Sequence, residues 1–168
     1  MTDDDTTIEP GTSRTEGTTR TLHFTLDLPH PVEAVWRAVA TPDGLAGWLA
    51  AADALEPRLG GAVTLRWLNG GGAHRGRVTA WDVERVAEYT LDGLHGRMRF
   101  HLEPDTTLRF TNEFDGDDAL RLDCLAGWHD HFLCLRDALD GRPMTPDGWA
   151  AWTPDRWQRL RDAYVSRP

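Results

Sequence analysis

The chain has 168 residues, 40% of them hydrophobic, and a formal net charge of -9. That length holds one domain with a real core and room for a cavity, and an acidic balance without a cationic stripe excludes nucleic acid and anionic membranes as partners, because phosphate binding needs clustered positive side chains. No apolar run approaches the ~20 residues that span a bilayer, and no basic leader precedes an apolar stretch, so a cytoplasmic protein is expected.

Residues 1–20, with Asp3-Asp4-Asp5, many Thr and Gly and one large aliphatic residue, Ile8, read as a disordered lead. From Thr21 the pattern alternates, placing Leu22, Phe24, Leu26 and Leu28 on one face of a strand. Pro29 and Pro31 end it, since neither donates a backbone hydrogen bond, and Pro31 suits the first turn of a helix whose Val32, Val35, Trp36 and Val39 form one stripe. Thr41 ahead of Pro42 caps a short second helix ending near Trp48.

From about residue 54 the period changes to two. Strands are expected at 62–67, 75–81, 86–91, 97–102 and 107–114, an antiparallel meander separated by the Asn69-Gly70-Gly71-Gly72 turn and by Glu84-Arg85 and Pro104-Asp105. In the last two, Met98, Phe100, Leu102, Leu108, Phe110 and Phe114 share an apolar face; Arg97, Arg99, His101, Arg109, Thr111 and Glu113 take the other. A long helix follows over 126–139, its stripe Leu125, Trp128, Phe132, Leu135 and Leu139 spaced 3-4-3-4 to lie on the sheet. Residues 143–168 carry Trp149, Trp152 and Trp157 and a short helix over 155–164, and so many indoles predict an extension packed back on the 21–142 domain. No internal repeat is evident.

This order, with a Pro-rich step into Val32-Glu33-Ala34-Val35-Trp36, then Thr41-Pro42-Asp43-Gly44-Leu45, the Gly60-Gly61 strand start and the closing Gly127-Trp128-His129 helix, resembles the START/Bet v1-like (SRPBCC) superfamily, in the branch named after the activator of Hsp90 ATPase homologues. The resemblance covers residues 21–142. It implies an α+β helix-grip fold: a curved antiparallel sheet of about six or seven strands around a long C-terminal helix, with an internal hydrophobic cavity. It further implies a hydrophobic small-molecule ligand, aromatic or polyketide-like, and allows a bacterial role in antibiotic biosynthesis or self-resistance, including that against enediynes. A chaperone-binding module and a polyketide cyclase or aromatase are the alternatives.

Eight Trp residues suit a site that stacks on a planar ligand. Trp48, Trp67, Trp81, Trp128 and Phe132 are the candidate cavity wall, with Met98, Phe100 and Phe110 on the facing sheet; Trp36 is assigned to the core. Asn112, the one polar residue on the apolar face of its strand, must be satisfied by a ligand, a water or the helix. His129 and His131 point about 200° apart on a helix and cannot share an ion, so no metal and no cofactor are expected. His129 is expected on the helix surface beside Asp130 or Glu33; in the cyclase alternative His129 or Asp130 is the base, and no catalytic residue is otherwise assigned. Cys124 and Cys134, about 15 Å apart along one helix, cannot form a disulfide.

Overall fold

The computed structural model describes residues 8–167, so the first seven residues of the expected lead lie outside the described residues. Its sheet contains β1 (Thr12–Glu16), β2 (Thr19–Asp27), β3 (Ala50–Leu55), β4 (Ala62–Trp67), β5 (Gly72–Asp82), β6 (Val86–Leu91), β7 (Arg97–Leu102) and β8 (Thr107–Asp115). The strands run in the order β1-β2-β8-β7-β6-β5-β4-β3, every neighbour antiparallel. Helices α1 (Val32–Ala40) and α2 (Pro42–Ala46) connect β2 to β3, and α3 (Asp118–Leu139), α4 (Pro146–Ala150) and α5 (Asp155–Val165) follow the sheet. The result is the expected helix-grip arrangement, a curved, unclosed sheet with a long C-terminal helix.

The alternation in β7 and β8 sets the interior. Met98, Phe100, Leu108 and Phe110 are at most 1% exposed, while Arg99, His101 and Arg109 lie on the outer face. Phe110 packs against Trp128 and Phe132 of α3, with ring centroids 4.3 and 5.1 Å apart, and Phe24 of β2 meets Phe132 at 5.2 Å. Trp36 is half-buried and packs edge-on against Trp81 at 5.1 Å.

Three expectations are corrected. The lead is not disordered throughout: β1 pairs with β2 through a turn at Gly17-Thr18, and Ile8 is buried. All five β1 residues are exposed, so ladder hydrogen bonds rather than an apolar face hold the strand. Second, the sheet has eight strands because β1 and β3 join it. β3 is rich in Ala, a weak strand former, and its place is set by pairing with β4 across an irregularity at Ala52/Ala54. Third, α3 starts eight residues before the expected Ala126, capped by Asp117, whose carboxylate accepts from the Leu120 amide at 2.9 Å.

A short repeat also becomes visible. Thr41-Pro42-Asp43-Gly44 and Thr145-Pro146-Asp147-Gly148 build the same capped turn, each Thr hydroxyl accepting from the Gly amide at 3.1 Å. The second copy places Trp149, whose indole N–H donates to the Ala46 carbonyl and ties α4 to α2. α5 then lies against α3.

Candidate functional site

A pocket of about 250 Å³ opens where the sheet's far edge meets the first half of α3. Trp67 at the end of β4 and Asn69 and Gly71 in the following turn form one side; Leu94 and His95, in the 3-10 turn Gly93–His95, form another. α3 contributes Cys124, Gly127, Trp128 and His131 at helical spacing, and Trp157 of α5 closes the wall. A second cleft of about 290 Å³ shares Asn69, Gly127, His131 and Trp157 and is bounded by Asp130, Trp152 and Pro154. The C-terminal extension therefore supplies part of the wall. Ligand sites are commonly roughly 300–1,000 Å³ and mostly apolar, which the two spaces match together.

Of the expected wall residues, Trp67 and Trp128 line this pocket. Trp48, Met98, Phe100, Phe110 and Phe132 are corrected: at 0–1% exposure they form the aromatic core under α3, outside this lining, because the rings of Trp48, Phe100, Phe110 and Phe132 pack on one another and fill the space between sheet and helix. Trp81 is corrected too, since it sits against Trp36 of α1. Asn112 is satisfied without a ligand. Its amide donates to the carbonyls of His95 and Arg97, at 2.8 and 2.9 Å, and its Oδ1 accepts from the Trp128 indole N–H at 3.0 Å. It thereby clamps the 3-10 turn to α3 and positions two wall residues. Gly96 completes that turn at φ +61°, with a Cβ position only 2.1 Å from the Glu113 carbonyl oxygen, so no side chain fits. Replacing Asn112 by Leu is expected to cost about 3 kcal/mol, because the buried Trp128 indole N–H and two half-buried carbonyls lose a partner; a urea midpoint close to that of the unsubstituted protein would contradict this clamp.

His129 is 1% exposed, not on the surface, because α5 covers its side of α3 and the Tyr164 hydroxyl lies 2.8 Å from its Nδ1. Asp130 is 3% exposed and ion-paired with Arg156, so neither residue is a free base facing the inner pocket. Cys124 and Cys134 are free thiols, and burial pushes their pKa values up to about 12 and about 11, so neither is a thiolate nucleophile at neutral pH. Among the described residues no group of three His, Cys, Asp or Glu side chains is arranged to hold a metal ion.

The imidazoles at the pocket are His95 and His131, neither of them among the candidate ligand residues expected from the sequence. The approach of His95 to Trp67 joins positions 28 residues apart, which local patterns do not reveal. His95 Nε2 accepts from the Trp67 indole N–H at 2.9 Å, and burial, with His74 beside it, pushes its pKa down to about 4. His131 Nδ1 lies 2.9 Å from the Trp48 carbonyl oxygen, and burial lowers its pKa against opposing contributions from Asp130 and that carbonyl. Both are neutral at pH 7. Asp123 on the wall is ion-paired with Arg161 at 2.6 Å.

A folded-state pKa near 4 against 6.5 in the unfolded chain means that the unfolded chain binds more protons in that window. Stability from His95 is therefore complete above pH 6.5 and is lost as the pH falls through about 4. The expected loss is of order 2–3 kcal/mol, with His131 acting in the same direction. Urea midpoints at pH 7 and pH 4 measure it, and an equally steep pH dependence in His95→Gln would remove His95 as the source.

Residues 29–140 match the model of a family described as "Activator of Hsp90 ATPase homolog 1-like protein". Similar solved structures include a conserved protein of unknown function, EF2215, from Enterococcus faecalis, at 17% identity and a TM-score of 0.66, covering 92% of this chain and 88% of that one. CalU16 from Micromonospora echinospora is similar at 18% identity and a TM-score of 0.63, covering 95% of this chain and 97% of its own. The Aha1 dimer from Colwellia psychrerythraea is similar at 20% identity and a TM-score of 0.56, with 71% and 95% covered. At these identities the likeness is one of fold. No curated protein sequence matches the chain. The family match stops at residue 140, before α4 and α5, so Trp152 and Trp157 belong to a part of the wall outside it.

Proposed function

The chain belongs to the activator of Hsp90 ATPase homolog 1-like family, and from that premise we propose that it binds and sequesters a hydrophobic, aromatic or polyketide-like small molecule between α3, the β4–β5 turn and α5. The observation that carries this reading is Gly127. In the interior of a 22-residue helix a Gly costs about 1 kcal/mol relative to Ala. No packing requires it, since the nearest atom to an added Cβ is Trp157 Nε1 at 3.9 Å. What its missing side chain leaves is the space shared by the two clefts. Three indoles, Trp67, Trp128 and Trp157, line the inner pocket beside it and supply rigid stacking area.

A role in antibiotic biosynthesis or self-protection, with an enediyne-type ligand, is the finer form of the proposal. The test is a tryptophan-fluorescence titration against polycyclic aromatic and enediyne-type natural products. Saturable quenching, absent when the pocket is filled by substitution at Gly127, supports the reading. A flat response to every member overturns it and favours the chaperone-partner alternative that the family's name carries.

A further inference from the structure

The pocket is not uniformly apolar, and its two imidazoles are fixed by partners that leave no choice of tautomer. An indole N–H only donates, so the His95 Nε2 that receives the Trp67 bond carries a lone pair, and the proton of the neutral ring sits on Nδ1. A carbonyl oxygen only accepts, so His131 Nδ1 holds the proton donated to Trp48, and its Nε2 carries a lone pair. Each ring thus has one committed nitrogen and one spare. Among the described residues neither spare nitrogen has a hydrogen-bonding partner: His95 offers a donor, His131 an acceptor. Both rings lie by the Trp67 indole, with centroids 4.9 and 6.3 Å away, and both line the inner pocket.

The charges nearby are already neutralised. Asp123 is paired with Arg161 and Asp130 with Arg156, and burial keeps both imidazoles uncharged at neutral pH. A charged ligand would enter with no counter-charge free to meet it. A pure hydrocarbon would bury the two spare nitrogens unpaired, which costs each its water hydrogen bond.

We propose, on the basis of the binding reading above, that the pocket selects neutral aromatic molecules carrying both a hydroxyl and a carbonyl, the hydroxyl donating to His131 Nε2 and the carbonyl accepting from His95 Nδ1–H. Stacking on Trp67, Trp128 and Trp157 supplies affinity; the imidazole pair supplies selection. A hydroxyaryl ketone is the simplest such ligand, and an inner space of about 250 Å³ suits a two-ring portion of it, with any remainder in the outer cleft.

The test keeps the protein unchanged and varies the probe. Tryptophan quenching is titrated at pH 7 with hydroxynaphthyl ketones (6-acetyl-2-naphthol and its 7-acetyl isomer), their methyl ethers, which lack the donor, and the matching ethyl-naphthols, which lack the acceptor. At least one ketone is expected to bind about tenfold more tightly than either truncated analogue, the size expected for one buried hydrogen bond. His131→Phe should then remove the preference over the methyl ether alone, and His95→Phe the preference over the ethyl-naphthol alone. Saturable binding of all three types with equal affinity would overturn the selection while leaving the binding function standing. Binding of none of them, together with a flat response to the natural-product panel, would overturn both.

Discussion

Gly127→Phe is expected to abolish ligand binding while leaving the protein as stable as before or slightly more so. The backbone at 127 is helical, and the nearest atom to an added Cβ is 3.9 Å away, so the substitution meets no backbone obstacle. Leaving Gly in a helix interior gains a few tenths of a kcal/mol in propensity even for an aromatic residue. The phenyl group then occupies the volume shared by the inner pocket and the outer cleft, among Asn69, His131 and Trp157. A probe that quenches tryptophan saturably should lose affinity by about 100-fold, since a filled pocket removes most of its apolar contact. Gly127→Ala is the companion variant: it should raise helix stability by about 1 kcal/mol and change affinity only a few-fold. Thermal melts beside the titrations separate the two effects. If Gly127→Phe folds and binds normally, the ligand sits elsewhere.

Arg156→Met is expected to be the most destabilising single change in the C-terminal extension, at about 3 kcal/mol or more. Asp130 is 3% exposed and depends on α5: Arg156 Nε donates to Oδ1, Arg156 also reaches the Asp130 carbonyl, and the Trp152 indole N–H approaches Oδ2 at 3.4 Å. Removing the guanidinium leaves a buried carboxylate without its counter-charge, the arrangement that costs roughly 3–5 kcal/mol. Removing both charges should cost less, because a buried pair replaced by apolar groups of similar volume is close to neutral. The double variant Asp130→Leu/Arg156→Met should therefore recover most of the loss in urea denaturation. α5 also carries Trp157, bonded to the Asp123 carbonyl, and Tyr164, whose hydroxyl accepts from the Gly11 amide, so weakening this latch should loosen the pocket wall as well. Proteolysis within residues 142–167 should accelerate in the single variant. An unchanged midpoint and cutting rate would show that the ion pair is dispensable.

Much of the architecture was legible in local patterns. Period-two alternation in β2, β7 and β8, the Pro step into α1 and the 3-4 stripe of α3 each follow from one element burying one face, so spacing alone assigns them. What escaped were elements without that signature. β1 has no buried side chain and β3 is mostly Ala; both exist because a neighbour offers a ladder. The Asp117 cap and the second Thr-Pro-Asp-Gly turn were readable signals that a reading for hydrophobic period overlooks.

The candidate site was legible only in part, and the division has a physical reason. The number of indoles and the oddity of Asn112 are properties of composition and strand register, available before folding. Which aromatic residues reach a pocket depends on sheet curvature and on how closely β7 and β8 approach α3, sums over many long-range contacts. Phe110 and Trp67 look alike as inward aromatics; one is sealed in the core and the other faces the pocket. Asn112 looked like a ligand group, but its partners at His95, Arg97 and Trp128 satisfy it internally. His95 and His131, separated by 36 positions, are brought to the same indole only when the 3-10 turn folds over β4 and α3 crosses the sheet. By itself the sequence determined which faces are apolar, where α1 and α2 begin and the family to which the chain belongs. Only the tertiary structure decided which polar nitrogens remain unpaired in an apolar space, because that depends on every partner being in place.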